Sequence, residues 1–185
     1  MTYDGEKWND GSPKVDCIPG SEIAIGIVSW GSDDISITNA TPENIPVIKD
    51  MVHAAYSKYI ERIGKPPAPM TADYRVLMQT HEIFLLQKPN GKVMGSIMLR
   101  SDLPSNSIEI NNLVVDPLAQ GLGYGRILMS YAENIAKARG HSSLTLYTNV
   151  KMYENLGLYV KLGFTEMERK VEDGFERVYF RKPLH

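Results

Sequence analysis

Residues 113–128 read LVVDPLAQGLGYGRIL, and this stretch decides how the rest of the chain is interpreted. An apolar run rich in β-branched residues ends at Pro117, three glycines follow at alternate positions, and an amphipathic helical pattern then begins. The sequence therefore predicts a strand, a tight loop and a helix in immediate succession.

The glycines of this loop, Gly121, Gly123 and Gly125, favour a binding site for an anion. A segment without Cβ atoms can turn several backbone N–H groups toward one point at no steric cost. The helix that follows leaves its first N–H groups unpaired and adds the positive end of its dipole. A phosphate or pyrophosphate is the group that such an arrangement binds most naturally.

Two common phosphate loops do not fit these residues. The dinucleotide pattern G-x-G-x-x-G needs a third glycine at position 126 or 128, where the chain has Arg126 and Leu128. A nucleoside triphosphate loop needs Gly-Lys-Ser/Thr, whereas Gly125 is followed by Arg126 and Ile127. Dinucleotide and triphosphate enzymes are therefore disfavoured.

A third pattern, Q/R-x-x-G-x-G/A, is met by residues 120–125, QGLGYG, which follow Val-Asp-Pro and precede a helix. In this setting the stretch resembles the pyrophosphate loop of the GNAT superfamily of acetyl-CoA-dependent N-acetyltransferases, and a plain strand-to-helix turn is the alternative. The resemblance implies acetyl-CoA as cosubstrate, with the pantetheine arm on the strand backbone and the diphosphate on the loop. The residues it nominates for these contacts are Val114, Val115, Gln120, Gly121, Leu122, Gly123, Tyr124, Gly125 and Arg126.

The resemblance also implies two catalytic side chains. Residues 155–164, NLGLYVKLGF, look like the family helix that ends in Leu-Tyr-x-x-Leu-Gly-Phe, whose tyrosine, here Tyr159, lies by the thioester sulfur as general acid. Glu109 is similar in position to the glutamate that acts as base in the histone-acetylating branch of the family. A core tyrosine and an ion-paired strand carboxylate are the structural alternatives for these two residues, and a water relay is the alternative base.

One coenzyme contact departs from the family pattern. Many relatives carry an asparagine seven residues before the tyrosine, and this chain has Met152 there. Asn149 and Asn155 are the expected substitutes.

The chemistry of acetyl transfer explains the need for an acid and a base. A lysine-like amine with a pKa of about 10.4 is almost entirely ammonium at pH 7, which costs roughly 4 to 5 kcal/mol before it can attack. A base lowers this obstacle. The departing thiolate has a conjugate-acid pKa of about 8.5, so a phenol with a pKa of about 10 can return a proton to it.

The remaining patterns agree with a mixed α/β fold. The sequence predicts a GNAT-like, mostly antiparallel sheet of about seven strands, flanked by about four helices. The predicted strands cover residues 35–38, 83–87, 93–99, 108–115, 144–146, 164–171 and 175–182. The predicted helices cover residues 42–60, 72–79, a segment from the glycine loop to Gly140, and residues 152–160, with a stiff extended connector at 64–69.

The acceptor is not identified by any motif. In the resembled family, the first helices and their connector form a wall of the acceptor pocket, which makes Tyr56, Tyr59 and Arg62 candidates for substrate binding. The expected reaction is direct attack of a primary amine, of a small molecule or a peptide, on acetyl-CoA within a ternary complex. A non-catalytic acyl-CoA-binding sensor or interaction module of the same fold is the alternative.

Composition limits the other possibilities. The chain of 185 residues is expected to form an N-acetyltransferase domain over residues 35–185, after an extension over residues 1–34 that is an added strand, a dimer contact or a poorly ordered tail. A net charge of -2 without basic blocks argues against nucleic acid. One cysteine, Cys17, and four scattered histidines predict no disulfide and no metal. No apolar run is long enough to span a membrane, so we expect a soluble, cytoplasmic protein, and a homodimer by family analogy.

Overall fold

Eight strands form one sheet in the computed structural model, which describes residues 26–30 and 33–184, with side chains from residue 35. The strand order is β1-β2-β3-β4-β5-β6-β8-β7. The strands are β1 (Gly26–Trp30), β2 (Asp33–Asn39), β3 (Glu82–Gln87), β4 (Val93–Asp102), β5 (Ser107–Val115), β6 (Ser143–Asn149), β7 (Thr165–Glu172) and β8 (Phe175–Pro183). The expectations for residues 1–25, for Cys17 and for His185 lie outside the described residues.

The sheet is mixed, and β5 with β6 is its one parallel pair among the described strands. The prediction of a mostly antiparallel, seven-stranded sheet is confirmed for β2 to β8. β1 adds an eighth strand at one edge, and β7 lies at the other edge with nearly all of its residues exposed.

The helices flank this sheet. They are α1 (Ile45–Tyr56), α2 (Ile60–Ile63), α3 (Ala68–Thr71), α4 (Tyr74–Leu77), α5 (Tyr124–Ala138) and α6 (Tyr153–Lys161). The two helices predicted after the start of the glycine loop are confirmed as α5 and α6. Where the prediction gave a helix end, the observed end lies within two residues of it.

The predictions for the first helical segment are wrong in detail. Residues 42–60 are not one helix, because 3-10 turns at Pro42–Asn44 and Ser57–Tyr59 flank α1. The connector at 64–69 is not wholly extended, since α3 begins at Ala68 and Pro69 fits the first turn of a helix. The helix predicted at 72–79 is the single turn α4, which Asp73 caps by accepting from the amides of Arg75 at 3.0 Å and Val76 at 3.2 Å.

Two apolar layers hold the helices to the sheet. Alternate residues of a strand point to opposite faces, and on β3 Phe84 and Leu86 join the core packed beneath α5, whereas Ile83 and Leu85 join the core beneath α1. α5 packs on β4, β5 and β6, and α1 packs on β4 and β5. The strand that leads into the glycine loop is therefore covered on both faces.

The contact between β4 and α5 requires a glycine at position 95. A Cβ atom added to Gly95 would lie 2.9 Å from the carbonyl oxygen of Val114 and 3.1 Å from the Cδ1 atom of Leu128. The backbone of β5 cannot withdraw without breaking its pairing with β4. Gly95 thus allows helix and sheet to approach closely at the strand that carries the site.

Gly95→Ala is expected to lower the free energy of unfolding by about 1 to 3 kcal/mol, because the added methyl group overpacks this contact. Gly157→Ala is the matched control, since Gly157 lies in α6 with no atom within 4 Å of an added Cβ. That change is expected to stabilise by roughly 0.5 to 1 kcal/mol. Urea unfolding measures both, and equal stabilities of the two variants would contradict the proposed contact.

Candidate active site

The site begins where the parallel strands β5 and β6 separate. Their pairing runs from Ser107 opposite Ser143 to Ile110 opposite Leu146. Beyond these residues, within the described part of the chain, β5 pairs only with β4 and β6 pairs only with β8. The strands therefore leave a wedge-shaped gap whose β5 side runs directly into the glycine loop.

A β-bulge shapes the β5 side of the gap. Met98 pairs with Asn112 and Leu99 pairs with Ile110, so Asn111 is an extra residue in the strand. Asn112 is buried, and its Oδ1 atom accepts a hydrogen bond from the hydroxyl of Tyr56 at 2.8 Å. The bulge thereby ties β5 to the end of α1.

A cavity of about 300 Å³ fills the gap and continues beneath the first helical segment. It is bounded by α1 to α4 on one side, by β5 and β6 below, and by α6 and β8 on the other side. The lining residues are Tyr56, Ile63, Pro67, Ala68, Pro69, Ala72, Tyr74, Leu77, Met98, Ile110, Asn111, Asn112, Leu113, Leu146, Tyr147, Thr148, Asn149, Met152, Asn155, Tyr159, Phe175 and Arg177.

Tyr159 of α6 lines this cavity. Its ring packs against the rings of Phe164, at 6.0 Å between centroids, and Phe180, at 5.6 Å. Burial raises the pKa of Tyr159 to about 12, and the neighbouring Tyr59 adds to the shift. The phenol is therefore protonated at neutral pH and can donate a proton or a hydrogen bond into the cavity.

The glycine loop presents its backbone amides. Gly121 and Gly123 have φ values of 83° and 86°, which L-residues rarely adopt. Among the described residues, the amides of residues 121–125 have no hydrogen-bond partner, whereas those of Arg126 and Ile127 both bond the carbonyl of Gly123. These amides precede and begin the 15-residue helix α5, and unpaired amides at a helix start favour the binding of an anion.

The side chains of the loop have varied surroundings. The amide nitrogen Nε2 of Gln120 donates to the carbonyl of Val115 at 3.3 Å. Tyr124 and Val114 are buried in the core, and Leu122 is exposed. Val114 and Tyr124 can therefore contact a coenzyme only through their backbones. Arg126 is exposed at the helix start and directly follows the segment that carries the free amides.

Both asparagines nominated in place of the family residue line the cavity, and so does Met152. The Nδ2 atom of Asn155 lies 3.4 Å from the Oγ1 atom of Thr148 and 3.7 Å from the sulfur of Met152. The Oδ1 atom of Asn149 accepts from the amide of Lys151 at 2.9 Å. Asn155 thus bridges α6 and β6 across the floor of the gap.

Glu109 lies beside the cavity and is not among its lining residues. Its carboxylate accepts from two nitrogens of Arg100 on the neighbouring strand, at 3.1 Å from Nε. Ile110, the next residue, does line the cavity, and so does Tyr147. Burial raises the pKa of Tyr147, and the charge of Glu109 contributes to the rise. Glu109 is therefore near the site but separated from it.

Of the three candidate acceptor residues, Tyr56 lines the cavity and the other two support the wall. Tyr59 is buried against Tyr56, with 6.1 Å between ring centroids. Arg62 donates through Nη1 to both carboxylate oxygens of Glu154, at 2.9 and 3.0 Å. This pair joins α2 to α6.

Sequence reasoning missed the far end of the cavity, formed by Tyr74, Tyr147, Phe175 and Arg177. The guanidinium of Arg177 lies 4.4 Å from the ring centroid of Tyr147 and pairs with Glu172 and, at 3.1 Å, with Asp173. Tyr147 and Arg177 come together only through the pairing of β6 with β8, whereas Tyr74 comes from α4. Asn111 and Asn112 were also missed as lining residues, and the sequence signal for them is a polar pair within an apolar strand.

The sequence that carries these features matches the profile of a known protein family. The profile of the acetyltransferase (GNAT) family matches residues 48–164, which include the glycine loop, Tyr159 and every lining residue of the cavity except Phe175 and Arg177. The chain belongs to this family. GNAT proteins transfer an acetyl group from acetyl-CoA to an amine, so the resemblance inferred from residues 120–125 and 155–164 is confirmed at the level of the family.

Individual relatives are more distant. The chain is 37% identical to the mycothiol acetyltransferase of Jonesia denitrificans over 82 residues, which cover 44% of this chain and 26% of that protein. It is 32% identical to an IAA acetyltransferase of Azospirillum brasilense over 94 residues, which cover 51% of this chain and 61% of that protein. The chain thus spans less than two thirds of either relative.

The solved structures support the fold. The ribosomal-protein-S18-alanine N-acetyltransferase from Escherichia coli superimposes with a TM-score of 0.65 at 21% identity, over 81% of this chain and 94% of that one. At this identity the likeness concerns the fold alone. In the described part of the chain, no helix is long and apolar enough to cross a bilayer, and no three His, Cys, Asp or Glu residues are grouped as metal ligands.

Gly121→Ala is expected to weaken acetyl-CoA binding about tenfold. An L-residue in the left-handed conformation costs roughly 1 to 2 kcal/mol, and relief of this strain turns the loop amides away from the diphosphate. Gly140→Ala is the control, because Gly140 also has a positive φ with open space around it but follows the opposite end of α5. Isothermal titration compares the two, and equal dissociation constants would contradict diphosphate binding by the loop.

Proposed function

We propose that this protein transfers the acetyl group of acetyl-CoA to a primary amine by direct attack within a ternary complex, with Tyr159 as general acid. One observation carries the proposal: Tyr159 lines a cavity that opens between β5 and β6, and β5 continues into the loop, where the amides of residues 121–125 have no partner among the described residues. A coenzyme bound by the loop thus has a path along β5 to the acid.

The fit of acetyl-CoA rests on three parts of the chain. The loop amides supply donors for the diphosphate. The unpaired side of β5 beyond Ile110 offers backbone groups to the amides of the pantetheine arm, as an added strand would use them. Asn149 and Asn155 supply polar contacts on the opposite side of the gap. Acetyl-CoA itself supplies the activated acetyl thioester.

Tyr159 acts on the leaving sulfur. A thiol has a pKa of about 8.5 in water, and removal from water raises that pKa as it raises the pKa of the phenol. Inside the cavity, the pKa of the leaving thiol and the pKa of the Tyr159 phenol, about 12, are therefore closer together than the value of the thiol in water indicates. The phenol donates its hydrogen bond to the sulfur as negative charge develops there, and the proton follows.

Glu109 is proposed as the final acceptor of the proton from the amine. Because its carboxylate is paired with Arg100 and does not line the cavity, the proton must reach it through water. Tyr147 lines the cavity and is within reach of the charge of Glu109, so we assign its side chain the role of ordering such a water.

Tyr159→Phe is expected to retain acetyl-CoA binding and to lower kcat about 100-fold, because the ring is kept and the acid is lost. Binding is followed by isothermal titration, and turnover by release of free thiol across a panel of amines. Tyr153→Phe is the control, since Tyr153 lies on the same helix but is exposed outside the cavity.

Unchanged turnover of Tyr159→Phe would contradict its role as acid. Acetyl-CoA binding by the unmutated protein without thiol release for any amine would instead favour the non-catalytic sensor. Failure to bind acetyl-CoA would contradict both functions.

Glu109→Gln is expected to lower kcat/KM about 100-fold at neutral pH and to leave acetyl-CoA binding unchanged, because the proton acceptor is lost. Arg100→Gln is the matched control: it breaks the same ion pair and keeps the carboxylate. Equal losses in both variants would show that the pair has a structural role only, and rescue of Glu109→Gln at high pH, where the amine is neutral in solution, would support the role as base.

A further inference from the structure

The chemical character of the cavity limits the acceptor. Among the described residues that line it, none is Asp, Glu, His or Lys, and one, Arg177, is charged. Aromatic rings, proline rings and aliphatic side chains form most of the surface. The polar groups are the amides of Asn111, Asn112, Asn149 and Asn155 and the hydroxyls of Thr148 and the tyrosines.

The asparagines lie along the gap between β5 and β6 or beside it on α6, on the coenzyme side of the cavity. The acceptor side, beneath α1 to α4 and the β7–β8 hairpin, is more apolar. There the lining includes Ile63, Leu77 and Pro67 from the helical segment and the rings of Tyr56, Tyr74 and Phe175, and the guanidinium of Arg177 is the charged group of the lining among the described residues. Tyr56 and Tyr74 already donate their hydroxyl protons, to Asn112 at 2.8 Å and to the carbonyl of Pro69 at 3.0 Å.

The charges near this end would not stabilise a second cation. Glu172 and Asp173, the nearby acids of the hairpin, pair with the guanidinium of Arg177. The ammonium of Lys65 lies 3.7 Å from the ring centroid of Phe175 and donates to the carbonyl of Asp173 at 3.4 Å. A polyamine entering here would lose its hydration and meet two cations, and among the described residues no carboxylate lines the cavity.

An apolar cavity also favours the form of the amine that reacts. Removal from water disfavours the ammonium ion and lowers the pKa of a bound amine. An amine with one nitrogen and an apolar body gains from burial of its carbon skeleton and gives up a proton more readily. A second ammonium group would add a desolvation cost with no such gain.

We infer that the acceptor is a monoamine with an apolar, ring-bearing body, of the arylalkylamine class, and that polyamines are discriminated against. This inference rests on the proposed acetyl transfer and specifies its substrate class. Ile63 and Phe175 are the specificity-determining residues, because they line the acceptor side and take no part in binding the coenzyme as described above.

The test compares kcat/KM for 2-phenylethylamine, spermidine and a lysine-containing tripeptide, with acetyl-CoA as donor and thiol release as readout. The expected result is a preference of at least about tenfold for 2-phenylethylamine over each of the others. Thiol release with spermidine or the peptide at equal or greater kcat/KM would overturn the inference and leave the acetyl transfer intact. No thiol release with any amine would remove the proposed function, and the inference with it.

A variant that reverses the preference makes the test sharper. Ile63→Glu places a carboxylate on the acceptor side, and we expect it to raise kcat/KM for spermidine at least about tenfold and to lower that for 2-phenylethylamine. Ile63→Gln has nearly the same shape without the charge and should show no gain for spermidine. Ile63 is partly exposed, and circular dichroism with acetyl-CoA titration establishes that both variants fold. An equal spermidine gain in both variants, or a gain in neither, would contradict the inferred charge discrimination.

Discussion

The separation of β5 from β6 is the constraint on which the rest of the structure depends. Parallel strands normally continue their ladder to the end of the shorter strand, but here the pairing stops at Ile110 and Leu146. The bulge at Asn111 and the hydrogen bond from Tyr56 to Asn112 hold the β5 side of the gap in place. The same strand delivers the free amides of the loop to the start of α5, so cavity and loop are parts of one continuous edge.

Much of the fold could be predicted from the sequence, because the signals were local. Strand alternation and the Asp173-Gly174 turn identified β2 to β8 within a few residues, and the glycine loop fixed the start of α5. The segment from Pro42 to Leu77 was harder. It folds as the 12-residue helix α1 followed by single turns, because the prolines and Asp73 each set their own local geometry, which helical periodicity does not register.

The candidate site was predicted only in part, for a related reason. Tyr159 and the loop lie in contiguous motifs, so the sequence could nominate them. Phe175 and Arg177 meet Tyr147 only when β8 pairs with β6, and the partner of Glu109 depends on the register between β4 and β5. Such cross-strand contacts join residues that no spacing rule connects. They determine whether a carboxylate faces the cavity or pairs with an arginine instead.

The bridge from Arg62 to Glu154 has a consequence for how ionic strength acts on the structure. Both side chains are well exposed, and an ion pair in such a position is worth about 0 to 1 kcal/mol and is weakened by salt. A link this weak breaks and reforms under ordinary thermal fluctuation. Salt concentration therefore sets the strength of this tie between α2 and α6, while the packing of the Arg62 guanidinium over the ring of Tyr153, at 5.7 Å from its centroid, joins the same two helices without the carboxylate.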